Sequence, residues 1–373
     1  MCGILGGINI NGSFKFDIEI FSDALKLQEH RGPDDSHVVE GENFIFGHQR
    51  LSIIDLSTTA RQPMISNCGK YTLVFNGEIY NFEEIRAILI KKGHQFKTES
   101  DTEVLLNSFI EYGIECIDLF IGMFAFAIND KISGVTYIVR DRLGIKPLYY
   151  YQDEKKLIFS SEIKSILMLE QDMEREINLD AISSYFSFRY PILDDTFFKG
   201  IYSLPPAHFI KILGSKVEIT EYWNAAKKFE EQKNDKGEEF YIENLQTLLE
   251  SAVKYRMIAD VPIGSYLSGG VDSSIISALM AKNSDKPIKT YTIGFTEDGY
   301  NEFDYANLIK DKYKTDHKEI VLSGEDYFET MTKLINFKDA PLSVPNEVPL
   351  YLMTKELKKS ITVVLSGEGA DEI

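Results

Sequence analysis

The chain is poor in cysteine, in positive charge and in long apolar runs. Its three cysteines, Cys2, Cys68 and Cys116, sit in no paired motif. So sparse and odd a set excludes a disulfide framework and fits a reducing compartment. Lysine and arginine number 40 against 58 acidic residues, a formal net charge of -18. That imbalance argues against a nucleic-acid-binding surface and against a polybasic membrane anchor. It leaves room for a local polyanion site built from backbone amides and a metal ion. No run of about 18 apolar residues reads as a membrane span, and no N-terminal apolar segment reads as a signal peptide. The cytoplasm is therefore the expected compartment. Internal repeats and low-complexity tracts are missing as well. With 44% hydrophobic and 26% charged residues among 373, what remains is an ordinary globular composition, long enough for two domains.

The first half reads as short strands with a few helices. Residues 71–75 and 123–128 are apolar strands, and the second turns through 129–134 into a strand at 135–139. A helix spans 20–28 and stops before Gly32-Pro33. Ser100-Asp101-Thr102-Glu103 has capping-box spacing, which predicts a helix from Ser100 that ends by Gly113. Residues 191–224 lose periodicity and carry Pro205-Pro206, and 227–239 are dense in charge. The domain boundary is read there, giving domains at 2–190 and 236–373 with 191–235 as a connecting region. Beyond it Ile242, Leu245, Leu249, Ala252 and Val253 share one face of an amphipathic helix. Strands at 265–267, 289–293 and 361–365 then alternate with helices at 273–282 and 305–313. That order implies a parallel sheet covered by helices.

Cys2 is the most informative residue. The side chain after Met1 is small, so removal of Met1 is expected. The new terminus then carries a thiol and a free α-amine on one residue, a nucleophile beside its own base. Reference pKa values near ~8 for the amine and ~8.5 for the thiol let the amine take the thiol proton after modest tuning. A thiolate attacking a carboxamide needs an oxyanion hole, and an Asn amide with a Gly N–H supplies one; Asn76-Gly77 offers that pair. A free amino-acid substrate needs a cation for its carboxylate and an anion for its ammonium, offered by Arg50 and Asp101. Taken singly, each has a plain reading: Arg50 as an ion-pair partner, Asn76-Gly77 as a type I′ turn, Asp101 as helix N-terminal charge.

The longer strings decide between these readings. Met1-Cys2-Gly3-Ile4-Leu5-Gly6-Gly7, His30-Arg31-Gly32-Pro33-Asp34, Gly47-His48-Gln49-Arg50-Leu51-Ser52-Ile53 and Phe75-Asn76-Gly77-Glu78-Ile79-Tyr80-Asn81 occur in this order. They are followed by Ser100-Asp101-Thr102-Glu103, Gly122-Met123-Phe124-Ala125-Phe126-Ala127 and Arg140-Asp141-Arg142-Leu143-Gly144-Ile145-Lys146-Pro147-Leu148-Tyr149-Tyr150. This half closely resembles the glutaminase domain of the glutamine-dependent asparagine synthetases, class II glutamine amidotransferases of the N-terminal-nucleophile fold. The resemblance implies an αββα sandwich with Cys2 as nucleophile and Asn76 and Gly77 as oxyanion hole. It implies that Arg50, Glu78 and Asp101 hold glutamine, with backbone groups of Leu51, Ser52, Ile53 and Ile54.

In the second half, Leu267-Ser268-Gly269-Gly270-Val271-Asp272-Ser273-Ser274 joins a strand to a helix. Successive N–H groups, two glycines and a helix N-terminus make an anion nest. No Gly-Lys-Ser/Thr closes it, so it is not a Walker A loop. It resembles the pyrophosphate loop of the ATP pyrophosphatases. The family pattern then assigns Ile293 to adenine, Ser366 and Gly367 to ATP contact, Glu368 to adenylation, and Asp272 with Asp371 to Mg2+. Paired carboxylates at strand ends suit magnesium bridging phosphates. Leu267, Ser268, Gly269, Gly270, Asp272, Ser273 and Ser274 complete the expected ATP set.

The resemblance implies an ATP-dependent amide ligase. Glutamine would be hydrolysed at Cys2, and the ammonia would pass through an enclosed passage to an acyl-adenylate. Aspartate is the expected acceptor. The alternatives are another carboxylate, such as a uronic-acid sugar of a surface polysaccharide, or glutaminase activity alone. Family members continue well past Ser366–Glu372 into a helical region, so the synthetase half is expected to be incomplete here. Small molecules are the expected partners, with no nucleic acid and no membrane; a homodimer is left open.

Overall fold

The structure is a computed structural model, and it describes residues 1–192, 194–231, 235–297, 299 and 301–370. It divides into two units, Met1–Lys233 and Asn234–Ile373.

The strands of the first unit are β1 (Gly3–Asn9), β2 (Asp35–Glu40), β3 (Phe44–Arg50), β4 (Met64–Ile65), β5 (Tyr71–Ile79), β6 (Gly122–Asp130), β7 (Thr136–Arg140), β8 (Tyr149–Gln152), β9 (Lys156–Ser160), β10 (Ile201–Ser203), β11 (His208–Leu213) and β12 (Lys216–Glu221). They form two six-stranded sheets, in the orders β10-β8-β9-β1-β3-β2 and β12-β11-β7-β6-β5-β4. Every pairing within them is antiparallel. The helices are α1 (Ile18–Lys26), α2 (Phe82–Lys91), α3 (Asp101–Tyr112), α4 (Ile163–Leu169), α5 (Leu179–Phe188) and α6 (Ala225–Glu231).

Period-two alternation sorts the side chains into layers. Ile4, Ile8, Phe46 and Phe159 of the first sheet meet Val74, Ala125, Ala127 and Ile138 of the second in one core between the sheets. Leu5, Ile45 and Ile158 point the other way, onto Phe21 and Leu25 of α1 and Ile163 and Ile166 of α4. Each of the buried Val, Leu, Ile and Phe side chains contributes roughly 1.5–3 kcal/mol. On the outer face of the second sheet, Phe109 of α3 sets its ring against Tyr71 and Tyr137, and α2 packs on α3. The result is helix, sheet, sheet, helix, the expected αββα sandwich. Residues of the 191–235 stretch, read from sequence as a connection, place β10 on the first sheet and β11–β12 on the second.

One local expectation is refined. Ser100 caps α3 by accepting from the Glu103 N–H at 3.3 Å. The Glu103 carboxylate, however, turns back to the N–H groups of Lys97 and Thr98 rather than to Ser100. Only half the capping box forms, and its acidic half orders the loop that leads into the helix.

The second unit runs α7 (Glu238–Arg256), β13 (Ile263–Tyr266), α8 (Val271–Lys282), β14 (Lys289–Phe295), α9 (Phe303–Tyr313), β15 (Asp316–Leu322), α10 (Gly324–Lys338), α11 (Glu347–Leu357) and β16 (Val363–Leu365). The four strands form a parallel sheet, in the order β15-β14-β13-β16. Tyr291, Ile320 and Leu322 pack with Met353 and Leu357 of α11, while α8 and α9 pack on β13 and β14. The amphipathic helix is present as α7, but its apolar face is not covered along its length. Val253 is buried, whereas Ile242 is 56% exposed. Contact with α8 and with the cluster of Met280, Ile288 and Leu365 is made at the end carrying Val253.

Candidate functional site

β1 brings Cys2 to the edge of the sandwich, because Gly3 pairs with Gln49 and so places Cys2 beside the end of β3. The Leu51 N–H donates to Cys2 Sγ at 3.4 Å, and Sγ lies 3.6 Å from the Leu51 carbonyl. The Cys2 carbonyl accepts from Arg31 Nε at 3.0 Å. Arg31 in turn donates to Glu162 at 3.2 Å. His30 and Lys164 each lie 2.8 Å from the same carboxylate. Burial raises the Glu162 carboxyl, but hydrogen bonds from His30 and Lys164 and the charges of Arg31 and Lys164 outweigh it and bring it down to about 2. Two residues beyond Cys2, the Ile4 N–H donates to Ser161 Oγ at 3.0 Å. Buried Gln28 donates to the hydroxyls of Ser160 and Ser165. The strand carrying Cys2 is thus fixed by buried polar groups as well as by its ladder.

The surroundings favour a neutral amine at this terminus. Burial pulls the α-ammonium of Met1 down to about 6, with Lys146 and Arg31 pushing the same way and Cys2 and Glu78 opposing. Lys146 itself is only 3% exposed, and burial lowers its ammonium too, against the pull of Glu78 and Cys2.

The second sheet supplies an open strand edge. β4 pairs with β5 only at Leu73 and Thr72, so the edge of β5 beyond Leu73 has no strand neighbour. Antiparallel alternation sends the N–H and C=O of residues 75, 77 and 79 to that edge. The other side agrees: Phe124, which stands opposite Gly77, spends both its backbone groups on Asp141. Side chains take up the open edge on either side of Gly77. The Phe75 N–H donates to Gln62 Oε1 at 2.7 Å, and its carbonyl lies 3.1 Å from His48 Nε2. The Ile79 N–H donates to Asp101 at 3.0 Å. Gly77 lies between these occupied positions. A Cβ on Gly77 would stand 2.4 Å from the Met123 carbonyl and 2.7 Å from Phe124 Cα, so only glycine lets β5 and β6 approach this closely. Neighbouring Asn76 is 1% exposed, and neither its Oδ1 nor its Nδ2 has a partner among the described residues. Buried amide atoms without partners are expensive.

Charge is arranged around this edge. Asp101, at the start of α3, is buried, and its carboxyl is raised to about 7 by desolvation; the charges of Glu78 and Cys2 add to the rise, while N–H donors oppose it. Arg50, at the end of β3, spends Nη1 on the Ser57 carbonyl at 2.8 Å and Nη2 on the Asp55 carbonyl at 2.5 Å. It thereby braces the loop that contains Leu51, Ser52, Ile53 and Ile54. Asp34 holds the same loop by accepting from the Ser52 N–H at 2.8 Å. The first-half residues singled out from sequence therefore meet on three elements: the start of β1, the β3 exit loop and the β5 edge with α3.

Several groups around this cluster were given no role by sequence reading. Arg31, Asp34, His48 and Lys146 lie inside the strings quoted above, which was the available signal. Gln62 and Glu162 lie in none of them.

In the second unit, the turn between β13 and α8 is built for close backbone approach. Gly269 has φ of 88°, and a Cβ there would lie 2.5 Å from Tyr305 Cβ. Ser268 and Ser273 pair their hydroxyls at 3.0 Å, and Ser268 Oγ also accepts from the Gly270 N–H. Gly270 caps α8 without a side-chain bond, and the buried Ser274 hydroxyl has no partner among the described residues. The loop after β16 comes to the same place: a Cβ on Gly367 would lie 2.8 Å from both Asp272 Cβ and the Ser273 nitrogen. Ser366 and Glu368 are exposed on that loop; Leu267 directly follows the end of β13, and Ile293 lies within β14, the next strand in the sheet order. Asp371 lies outside the described residues. Among the described residues, no group of three or more His, Cys, Asp or Glu side chains converges as a metal site. A single carboxylate, Asp272, beside an anion nest suits magnesium, which takes one or two protein carboxylates and otherwise phosphate and water oxygens.

Comparison with known proteins covers both units. Residues 1–223 match the family model described as glutamine amidotransferase domain, and residues 244–373 match asparagine synthase. Asparagine synthetase [glutamine-hydrolyzing] 3 of Bacillus subtilis (strain 168) is 34% identical over 390 residues, covering 100% of this chain and 62% of that protein. Asparagine synthetase [glutamine-hydrolyzing] 1 of the same organism is 36% identical over 376 residues, covering 100% and 58%. A putative asparagine synthetase [glutamine-hydrolyzing] 2 of Methanocaldococcus jannaschii is 34% identical over 397 residues, covering 100% and 75%. The chain thus spans less than two thirds of the two Bacillus relatives.

Proposed function

The chain belongs to the glutamine-hydrolysing asparagine synthetase family, and we propose that its first unit hydrolyses glutamine to glutamate and ammonia with Cys2 as nucleophile. The observation that carries this reading is the buried, unpartnered Asn76 amide next to Gly77 on the open edge of β5. An orphaned amide of this kind is a donor waiting for an acceptor, and a developing oxyanion is one. With Met1 removed, the Cys2 amine takes the thiol proton, and sulfur attacks the amide carbon of glutamine. The charge that forms on oxygen rests on Asn76 Nδ2 and the Gly77 N–H. Collapse breaks the carbon–nitrogen bond, and the proton leaves with nitrogen as ammonia. Water then cleaves the thioester to glutamate and restores the thiol. Arg50 and the Leu51–Ile54 backbone receive the glutamine carboxylate, while Asp101 and Glu78 receive its ammonium.

The second unit, in this reading, binds ATP on Ser268, Gly269, Gly270, Asp272, Ser273 and Ser274, with Leu267, Ile293, Ser366 and Gly367 around the nucleotide. Asp272, with Asp371, would hold Mg2+, which would neutralise phosphate charge as pyrophosphate leaves. Glu368 assists adenylation of a carboxylate, and ammonia displaces AMP to form the amide. Aspartate is the acceptor we favour, and asparagine the product.

Glutamate release by the Met1-processed protein, compared with Cys2→Ala, tests the first step. Release by the parent and none by the variant is expected; equal release would remove Cys2 from the reaction. Supplying glutamine, ATP, Mg2+ and aspartate together tests the second. Asparagine with matching pyrophosphate supports the assignment. Glutamate alone would direct the search to other carboxylates, sugar acids first.

A further inference from the structure

We propose that His48 and Gln62 are positioning residues for the oxyanion hole, standing in for the missing strand neighbour of β5 and fixing the peptide that precedes Asn76. The inference rests on the glutaminase reading above and assigns how its hole is held.

The geometry is specific. A two-residue β4 leaves Phe75 without a ladder partner on that edge. Gln62 Oε1 takes its N–H at 2.7 Å, and His48 Nε2 meets its carbonyl at 3.1 Å. Because a carbonyl only accepts, Nε2 must carry the ring proton and donate. The peptide between Phe75 and Asn76 is planar. Holding the Phe75 oxygen therefore sets the plane from which the Asn76 Cα and its amide project. His48 comes from β3 in the opposite sheet, so this bond crosses the interior of the sandwich and fixes β5 against the sheet that delivers Cys2. Gln62 also donates to Thr102 Oγ1 at 3.2 Å, next to Asp101. One short network thus joins the peptide before the hole to the start of α3.

Both side chains are buried, and His48 Nδ1 has no partner among the described residues. Leaving a buried nitrogen bare is costly. An apolar residue of similar size would avoid that cost but could not hold the Phe75 carbonyl. His48 also stays neutral, since burial drives its imidazolium down to about 3. Its role is geometric and should be insensitive to pH across the working range.

The test measures glutamate release, the glutamine KM and the rate at which iodoacetamide alkylates Cys2. Alkylation needs the thiolate but forms no oxyanion, so it reports on Cys2 alone. For His48→Ala we expect kcat to fall ~10²-fold, the size of effect a displaced catalytic group produces. KM should stay within ~3-fold of the parent and alkylation should be unchanged, because substrate binding and thiol activation lie elsewhere. His48→Gln, which restores an N–H donor at similar reach, should recover ~10-fold or more of the loss. Gln62→Met removes the other bond at similar side-chain length and should lower kcat in the same pattern. It carries the test alone if His48→Ala does not fold. An active parent with unchanged kcat in these variants overturns the proposal, as does a parallel fall in alkylation or a glutamine variant no better than alanine. A parent that releases no glutamate would instead overturn the glutaminase reading itself.

Discussion

Burial brings the Asp101 carboxyl up to the neutral range, and that has a readable consequence. Its carboxyl is raised to about 7, against about 3.9 in an unfolded chain. A carboxyl raised by folding stabilises the native state below its unfolded pKa, and that contribution is lost as pH rises through the folded value. The empty protein should therefore weaken between pH 4 and about 7 on account of this group. The proposed ligand, an α-ammonium, needs the charged form. Glutamine KM should fall as pH rises from 6 to 8, and the increase in melting temperature caused by glutamine should grow over the same interval. Asp101→Asn should raise the melting temperature of the empty protein at pH 8 while raising KM ~10-fold or more, since it keeps the bonds and discards the charge. A KM that is flat with pH in the parent, or untouched in the variant, would take Asp101 out of ammonium binding.

Elements set the limits within which these residues act. Gly77→Ala places a methyl group 2.4 Å from the Met123 carbonyl, so β5 and β6 must part. Overpacking of this kind costs typically 1–3 kcal/mol; urea titration should show that loss, and the oxyanion geometry should be lost with it. Ser100→Ala removes the acceptor that caps α3 and should cost about 1 kcal/mol in the same titration; no change would mean that the Glu103 carboxylate alone orders this end. Such elements were legible in sequence because their signals are local. The Ser100 cap, the hairpin at 129–134 and the apolar strands at 71–75 and 123–128 each announce themselves within a few residues. Cys2, Arg50, Asn76 and Asp101 were legible through the strings around them. Illegible were the pairings that depend on sheet register: His48 with Phe75, Gln62 with both Phe75 and Thr102, and Arg31 with a carboxylate 131 positions away. Nothing periodic near Gln62 or Glu162 marks either one. The extent to which the face of α7 is covered was illegible for the converse reason, since apolar spacing predicts a helix but does not say how much of its length another element covers.

Across the whole molecule, the two proposed chemistries stand on separate cores. The αββα sandwich fills its interior from residues between Ile4 and Ile212, and the parallel sheet fills its own from residues between Val253 and Leu365. The proposed glutamine site draws every group from the first, and the proposed nucleotide site draws every group from the second. Damage to one site's chemistry should therefore leave the other's intact, because sites that share no residues or partners behave additively. Asp272→Asn keeps the shape of the loop but removes the charge offered to magnesium. It should weaken binding of ATP with Mg2+ ~10-fold or more, as loss of a carboxylate around a metal does, with glutamate release at the parent rate. Cys2→Ala should show the reverse, binding nucleotide normally and releasing no glutamate. Calorimetric titration of both variants, read beside glutamate release, separates the outcomes. An Asp272→Asn protein that binds the nucleotide as the parent does would remove Asp272 from the metal site. Loss of glutamate release in that variant would mean that the loop after β13 supports the glutaminase through the fold, and the division of labour between the two units would have to be redrawn.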